Sequence, residues 1–196
     1  MTRPVTQIIL AISLLGDIFI TTILLFVGLV AENPAFMAAA LFTIGGILEK
    51  PDLLHGYRIK NYPAVHGLGR KYAVILLFLS RFFLIVTGFL LTTTILRLLA
   101  DGYTLTVTLS TLIAAYSVFF LKSILLRKTV LAAQKIKIRF LYTEVWSQRN
   151  GLLILAATCV AVTAGRIGYP IAHGLASLLI SVLVIRLGIG LRQGNP

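Results

Sequence analysis

The stretch VTQIILAISLLGDIFITTILLFVGLVA, residues 5–31, is apolar almost without interruption. About 20 apolar residues rising 1.5 Å each cross a hydrocarbon layer of about 30 Å, so the stretch predicts a membrane-spanning helix. Arg3 in front of it resembles the start of a secretory signal, but the run far exceeds the ~7–15 residues of a signal core and no small-residue cleavage site follows. It reads as a retained first helix.

Working outward, further apolar stretches fall at 35–57, 72–99, 104–126, 150–171 and 173–192. They are separated by Glu32-Asn33-Pro34, a basic loop, Asp101-Gly102, a longer basic loop and Tyr169-Pro170. The expectation is an all-α polytopic membrane protein, a six-transmembrane-helix bundle forming a single domain over residues 1–196. The second stretch is the weakest, because clean hydrophobicity from Ala35 to Leu48 covers only about 21 Å at 1.5 Å per residue. It must continue through Glu49-Lys50-Pro51-Asp52 or end there at the interface. Only 12% of the 196 residues are charged and 58% are hydrophobic, whereas charged residues approach about a quarter of a soluble domain.

A net charge of +12 in a soluble protein would suggest nucleic acid. Here the basic residues fall between spans: five from Lys50 to Lys71 and seven from Lys122 to Arg149, against Arg97 and Arg166 near the opposite helix ends. That pattern predicts anionic lipid headgroups as partners and no nucleic acid. It also predicts cytoplasmic basic loops and, with six spans, cytoplasmic N- and C-termini. A bacterial inner membrane, or one derived from it, is the expected location. The single cysteine, Cys159, lies in an apolar run and reads as a packing residue. There is no Gly-rich phosphate loop, no Ser-His-Asp set and no paired Cys or His, so the chain does not read as an enzyme.

Charges at membrane depth stand out. Asp17 sits in the middle of the first span and Arg81 about ten residues into the third, where each costs several kcal/mol unless paired or hydrated. A buried Asp17–Arg81 pair across helices one and three is the expectation, with snorkelling to the surface as the alternative for Arg81 and Arg186. Glu49, Asp52 and His55 recur every third residue and would share a helix face as a cation-attracting mouth, although Pro51 interrupts them and, with Lys50 and Arg58 alternating with the acids, a solvated helix end is the plainer reading. Gly151, Ala157, Ala161 and Gly165 partly follow a four-residue spacing that lets helices pack closely. His173 opens the sixth span and reads as a helix-entry residue.

Two segments carry a resemblance. Tyr62-Pro63-Ala64-Val65-His66-Gly67-Leu68-Gly69-Arg70 is similar to the His-Pro-x-Gly-His-Gly-x segment that precedes the third helix of the cation diffusion facilitator family. Ala172-His173-Gly174-Leu175-Ala176-Ser177-Leu178-Leu179-Ile180 resembles the start of that family's sixth helix, with His173-Gly174 where Asp-Pro is usual. Asp17 and Gly28 fall where the family often has Asn and Gly.

The resemblance implies transport of a divalent cation (zinc, iron or manganese) in exchange for protons, the cation being substrate rather than resident cofactor. The family's metal site takes two residues four apart on the second helix and a His-x-x-x-Asp pair on the fifth. Matched onto this chain, those positions are Phe42 and Gly46, and Trp146 and Asn150, which implies a degenerate metal site. In the loop, His66 keeps one of two family histidines and Tyr62 replaces the other, leaving a weak metal ligand. The cytoplasmic metal-binding domain that commonly follows the sixth helix is not expected here. A non-transporting partner or assembly subunit, in a homo- or hetero-oligomer with a related transporter, is the alternative; such family members occur in magnetosome membranes.

Overall fold

In the computed structural model, residues 2–61, 68–102, 107–136 and 139–189 are described, and their regular structure is entirely helical. The helices are α1 (Thr2–Val30), α2 (Pro34–Asn61), α3 (Leu68–Ala100), α4 (Leu109–Ile136), α5 (Arg139–Arg166) and α6 (Pro170–Ile189). Four contain apolar stretches long enough to cross a bilayer: Ala11–Val30, Arg81–Ala100, Leu109–Lys135 and Glu144–Arg166. The apolar parts of α2 and α6, Pro34–Ile47 and Pro170–Arg186, are shorter. The chain is an integral, multi-pass membrane protein.

One sequence expectation changes here. The segment from Lys122 to Arg149 was expected as a long basic loop, yet α4 runs on to Ile136 and α5 begins at Arg139. Lys122 therefore lies well inside α4. Charged residues do not end a helix; they only end the part of it that hydrocarbon can solvate.

Local chemistry explains the turns. At the end of α1, Asn33 N–H bonds the Gly28 carbonyl at 2.9 Å, and Glu32 takes a left-handed conformation (φ 46°). At the end of α5, Tyr169 N–H bonds the Ala164 carbonyl at 2.9 Å across Gly168 (φ 88°). Both are Schellman-type closures, and Gly168 is the residue suited to that conformation. Pro34 and Pro170 then open α2 and α6, where a missing N–H costs nothing.

α1 packs against α2 and α4, α4 against α5, α5 against α2 and α6, and α6 against α2 and α3. The shared core includes Ile20 and Leu24 of α1, Phe36 and Ala38–Ala40 of α2, Val118 of α4, Ile154, Leu155 and Val162 of α5, and Ile180 of α6. The alanines let α2 approach its neighbours closely. Large apolar side chains point outward from the bundle, among them Phe19, Phe82, Phe89, Leu153 and Val160, as expected where lipid is the solvent.

Asn33 fastens two helix starts together. Its Oδ1 accepts the Ala35 N–H at 3.0 Å, capping α2, and also faces the buried His173 Nε2 of α6 at 3.2 Å. Asn33→Ala should lower stability by about 1–2 kcal/mol through loss of cap and crosslink. Thermal unfolding in detergent checks this; Asn33→Asp, which retains an acceptor, should lose less.

Candidate functional site

Helices α1, α4 and α5 enclose a polar cluster. Ser13 and Asp17 are four residues apart on α1, so they share a face, and Glu144 and Gln148 stand in the same relation on α5. Lys122 reaches between them from α4. All five are at most 4% exposed.

The hydrogen bonds are specific. The Lys122 ammonium forms an ion pair with Asp17 Oδ1. Gln148 Nε2 donates to Ser13 Oγ at 2.7 Å, to Glu144 Oε1 at 2.9 Å and to Asp17 Oδ2 at 3.1 Å. Ser13 in turn donates to Glu144 Oε1 at 2.6 Å. The Gln148 carbonyl oxygen is buried at the same place and has no hydrogen-bond partner among the described residues.

Two glycines make this arrangement sterically feasible. A Cβ on Gly16 would lie 2.5 Å from Leu125 Cδ1, so the glycine beside Asp17 leaves room for this side chain of α4. A Cβ on Gly151 would lie 3.0 Å from Lys122 Cε and 3.4 Å from its Nζ, so α5 leaves a slot for the lysine. Gly151, read from sequence as a packing residue, thus accommodates a charged side chain.

Several expected sites fall elsewhere. Asp17 is buried as anticipated, but its partner is Lys122; Arg81 is half-buried on α3, which packs on α2 and α6. Trp146 is 57% exposed and Asn150 is also exposed, so the α5 pair matched to the family motif points away from the bundle. The inward pair lies two residues earlier, and two residues are about 200° of rotation on a 3.6-residue helix. Phe42 packs at the edge of the core, while nothing lies within 4 Å of where a Gly46 Cβ would be. These four positions therefore do not converge.

Glu49, Asp52 and His55 lie on α2, but their side chains fall outside the described residues, as does all of His66. Among the described residues no group of three His, Cys, Asp or Glu is arranged to hold a metal. The cluster offers two carboxylates with an amide and a hydroxyl. Sequence reasoning missed Lys122, Glu144, Gln148 and Ser13, although the Glu-x-x-x-Gln spacing of α5 matches the Ser-x-x-x-Asp spacing of α1.

No curated protein matches the chain at a significant level. Residues 10–191 match the cation efflux transmembrane domain. That match spans nearly the whole chain, and its fold is the helical membrane domain described above: the protein belongs to the cation efflux, or cation diffusion facilitator, family.

Proposed function

We propose that this protein moves a divalent cation across its membrane, and that the route passes the α1/α4/α5 cluster instead of a pair of ligand helices α2 and α5. The observation that carries this reading is the inward turn of Glu144 and Gln148 against Ser13 and Asp17. Buried ion pairs contribute little net stability compared with apolar packing, so a bundle held by Ile, Leu, Phe and Ala gains little fold stability from this one. Ionisable residues at membrane depth mark ion paths by default.

The six helices are read as six crossings with both chain ends cytoplasmic, supported by the basic residues at the facing ends of α2 and α3 and of α4 and α5. The cluster then lies in the cytoplasmic half of the bundle, and the Asn33–His173 contact at the opposite end. A bacterial inner membrane or a derivative of it, with anionic headgroups beside the basic ends, suits this orientation, and association with a second copy or a relative follows family habit.

The second reading, a non-transporting assembly partner, is favoured by Phe42 and Gly46, neither of which has a side-chain donor for a metal. Purified protein in proteoliposomes decides between them. Under an imposed pH gradient, entry of Zn²⁺, Mn²⁺ or Fe²⁺ should exceed that of protein-free vesicles. No flux of any of these ions, together with co-purification of a full-length relative, would establish the partner reading.

A further inference from the structure

We propose that the Lys122 ammonium occupies a cation site of its own chain, and that this site takes a hard, oxygen-seeking divalent ion such as Mn²⁺ or Mg²⁺ when the lysine swings aside. The proposal rests on the transport reading only for its use, not for its chemistry.

The ammonium is paired with Asp17, and the oxygens joined to that carboxylate define the ligand. Asp17 and Glu144 supply carboxylate oxygens, Ser13 a hydroxyl and Gln148 an amide carbonyl, and the Asp17, Ser13 and Glu144 oxygens are already bridged through the Gln148 amide nitrogen. Neither sulfur nor imidazole belongs to this set. All-oxygen donors of this kind suit Mg²⁺, Mn²⁺ and Ca²⁺, whereas zinc prefers nitrogen and sulfur ligands.

An independent feature points the same way. The Gln148 Oε1 atom is buried with no hydrogen-bond partner among the described residues, in a side chain only 1% exposed. Such an oxygen loses solvation without compensation, and a bound cation would supply it. In the structure the positive charge comes from Lys122, on a four-carbon stem whose end passes Gly151. A tethered ammonium on rotatable bonds can leave without dismantling the helices, unlike a backbone group or a short side chain.

The ammonium and the metal ion therefore compete for the Asp17 carboxylate. Apparent affinity for the metal is its intrinsic affinity scaled by the fraction of protein with the lysine displaced. If that fraction is about a tenth or less, removing the lysine should tighten binding at least ~tenfold.

Mn²⁺ binding to the full chain in detergent, read by electron paramagnetic resonance and calorimetry, tests this. Lys122→Met should bind Mn²⁺ at least ~tenfold more tightly than the native protein and prefer it to Zn²⁺. Adding Asp17→Asn to that variant should remove the gain. Gly151→Ala, which keeps every charge but crowds the lysine end, should shift Mn²⁺ affinity in the same direction. If Lys122→Met is recovered folded only when Mn²⁺ is present, that rescue supports the site; if it is never recovered, Gly151→Ala decides. Native Mn²⁺ affinity in every folded variant overturns the proposal, and a gain for Zn²⁺ larger than for Mn²⁺ overturns the ligand class. A tighter Mn²⁺ site in Lys122→Met with no flux by the native protein would refute the transport reading alone, whereas native flux without any binding gain in the variants would refute the site alone.

Discussion

Asp17→Asn should cost the protein about 3–5 kcal/mol of stability, because it leaves the Lys122 ammonium in the bundle without its carboxylate. Lys122→Met in metal-free buffer should cost a comparable amount by stranding Asp17. The double variant should recover most of the loss, since two neutral side chains of similar volume need no counterion. Thermal unfolding in detergent, with gel-filtration profiles as a control for assembly, gives the three values. Arg81→Leu supplies the contrast: combined with Asp17→Asn it should recover nothing, because Arg81 lies on α3, away from the α1–α4 contact. Recovery by Arg81→Leu and none by Lys122→Met would show that Asp17 has a different partner in the membrane.

The second large effect concerns the two faces of α5. Gln148→Leu removes the amide that joins Ser13, Asp17 and Glu144, and Glu144→Gln removes one of the two acids. A hydrogen bond to a charged group contributes about 1.5–3 kcal/mol, so cation flux in proteoliposomes should fall about 10- to 100-fold in either variant. Trp146→Ala and Asn150→Ala, on the outward face, should leave flux near the native rate. Loss of flux in the outward pair with tolerance at Gln148 would mean that α5 is rotated during transport, and that the route lies elsewhere.

The contrast between those faces shows what the sequence disclosed. Hydropathy located the helices, because the solvent contrast between lipid and water acts on every residue of a span. It could not tell which side of α5 faces inward. A helix surrounded by lipid and by other helices is apolar on nearly all sides, so no amphipathic stripe marks the inner one. The family spacing of four residues led to Trp146/Asn150, although Glu144/Gln148, which sequence reasoning missed, has the same spacing. Asp17 was legible as an anomaly, since an acid at that depth requires a partner. Its partner was obscured because Lys122 begins a run of basic residues, and such a run looks like a loop until α4 is seen to continue through it. Asn33 and His173 were recognised separately, as a turn residue and a helix-entry residue; their contact joins positions 140 residues apart, and no local pattern reports it.

The separation in sequence between Asp17 and Lys122 also bears on how the protein is made. The two residues are 105 positions apart, and Ser13 lies 131 positions before Glu144. At about 5–20 residues per second, a ribosome that has completed α1 needs roughly 5–20 s more to produce Lys122. During that interval the first helix enters the bilayer with its carboxyl unmatched, at a cost of about 2.5–3.5 kcal/mol on the insertion scale. The stretch from Ile18 to Val30, apolar apart from Thr21 and Thr22, has to hold it there. Polar substitutions in that half of α1 would therefore act first at the translocon, losing the helix before the lysine that completes it has been synthesised.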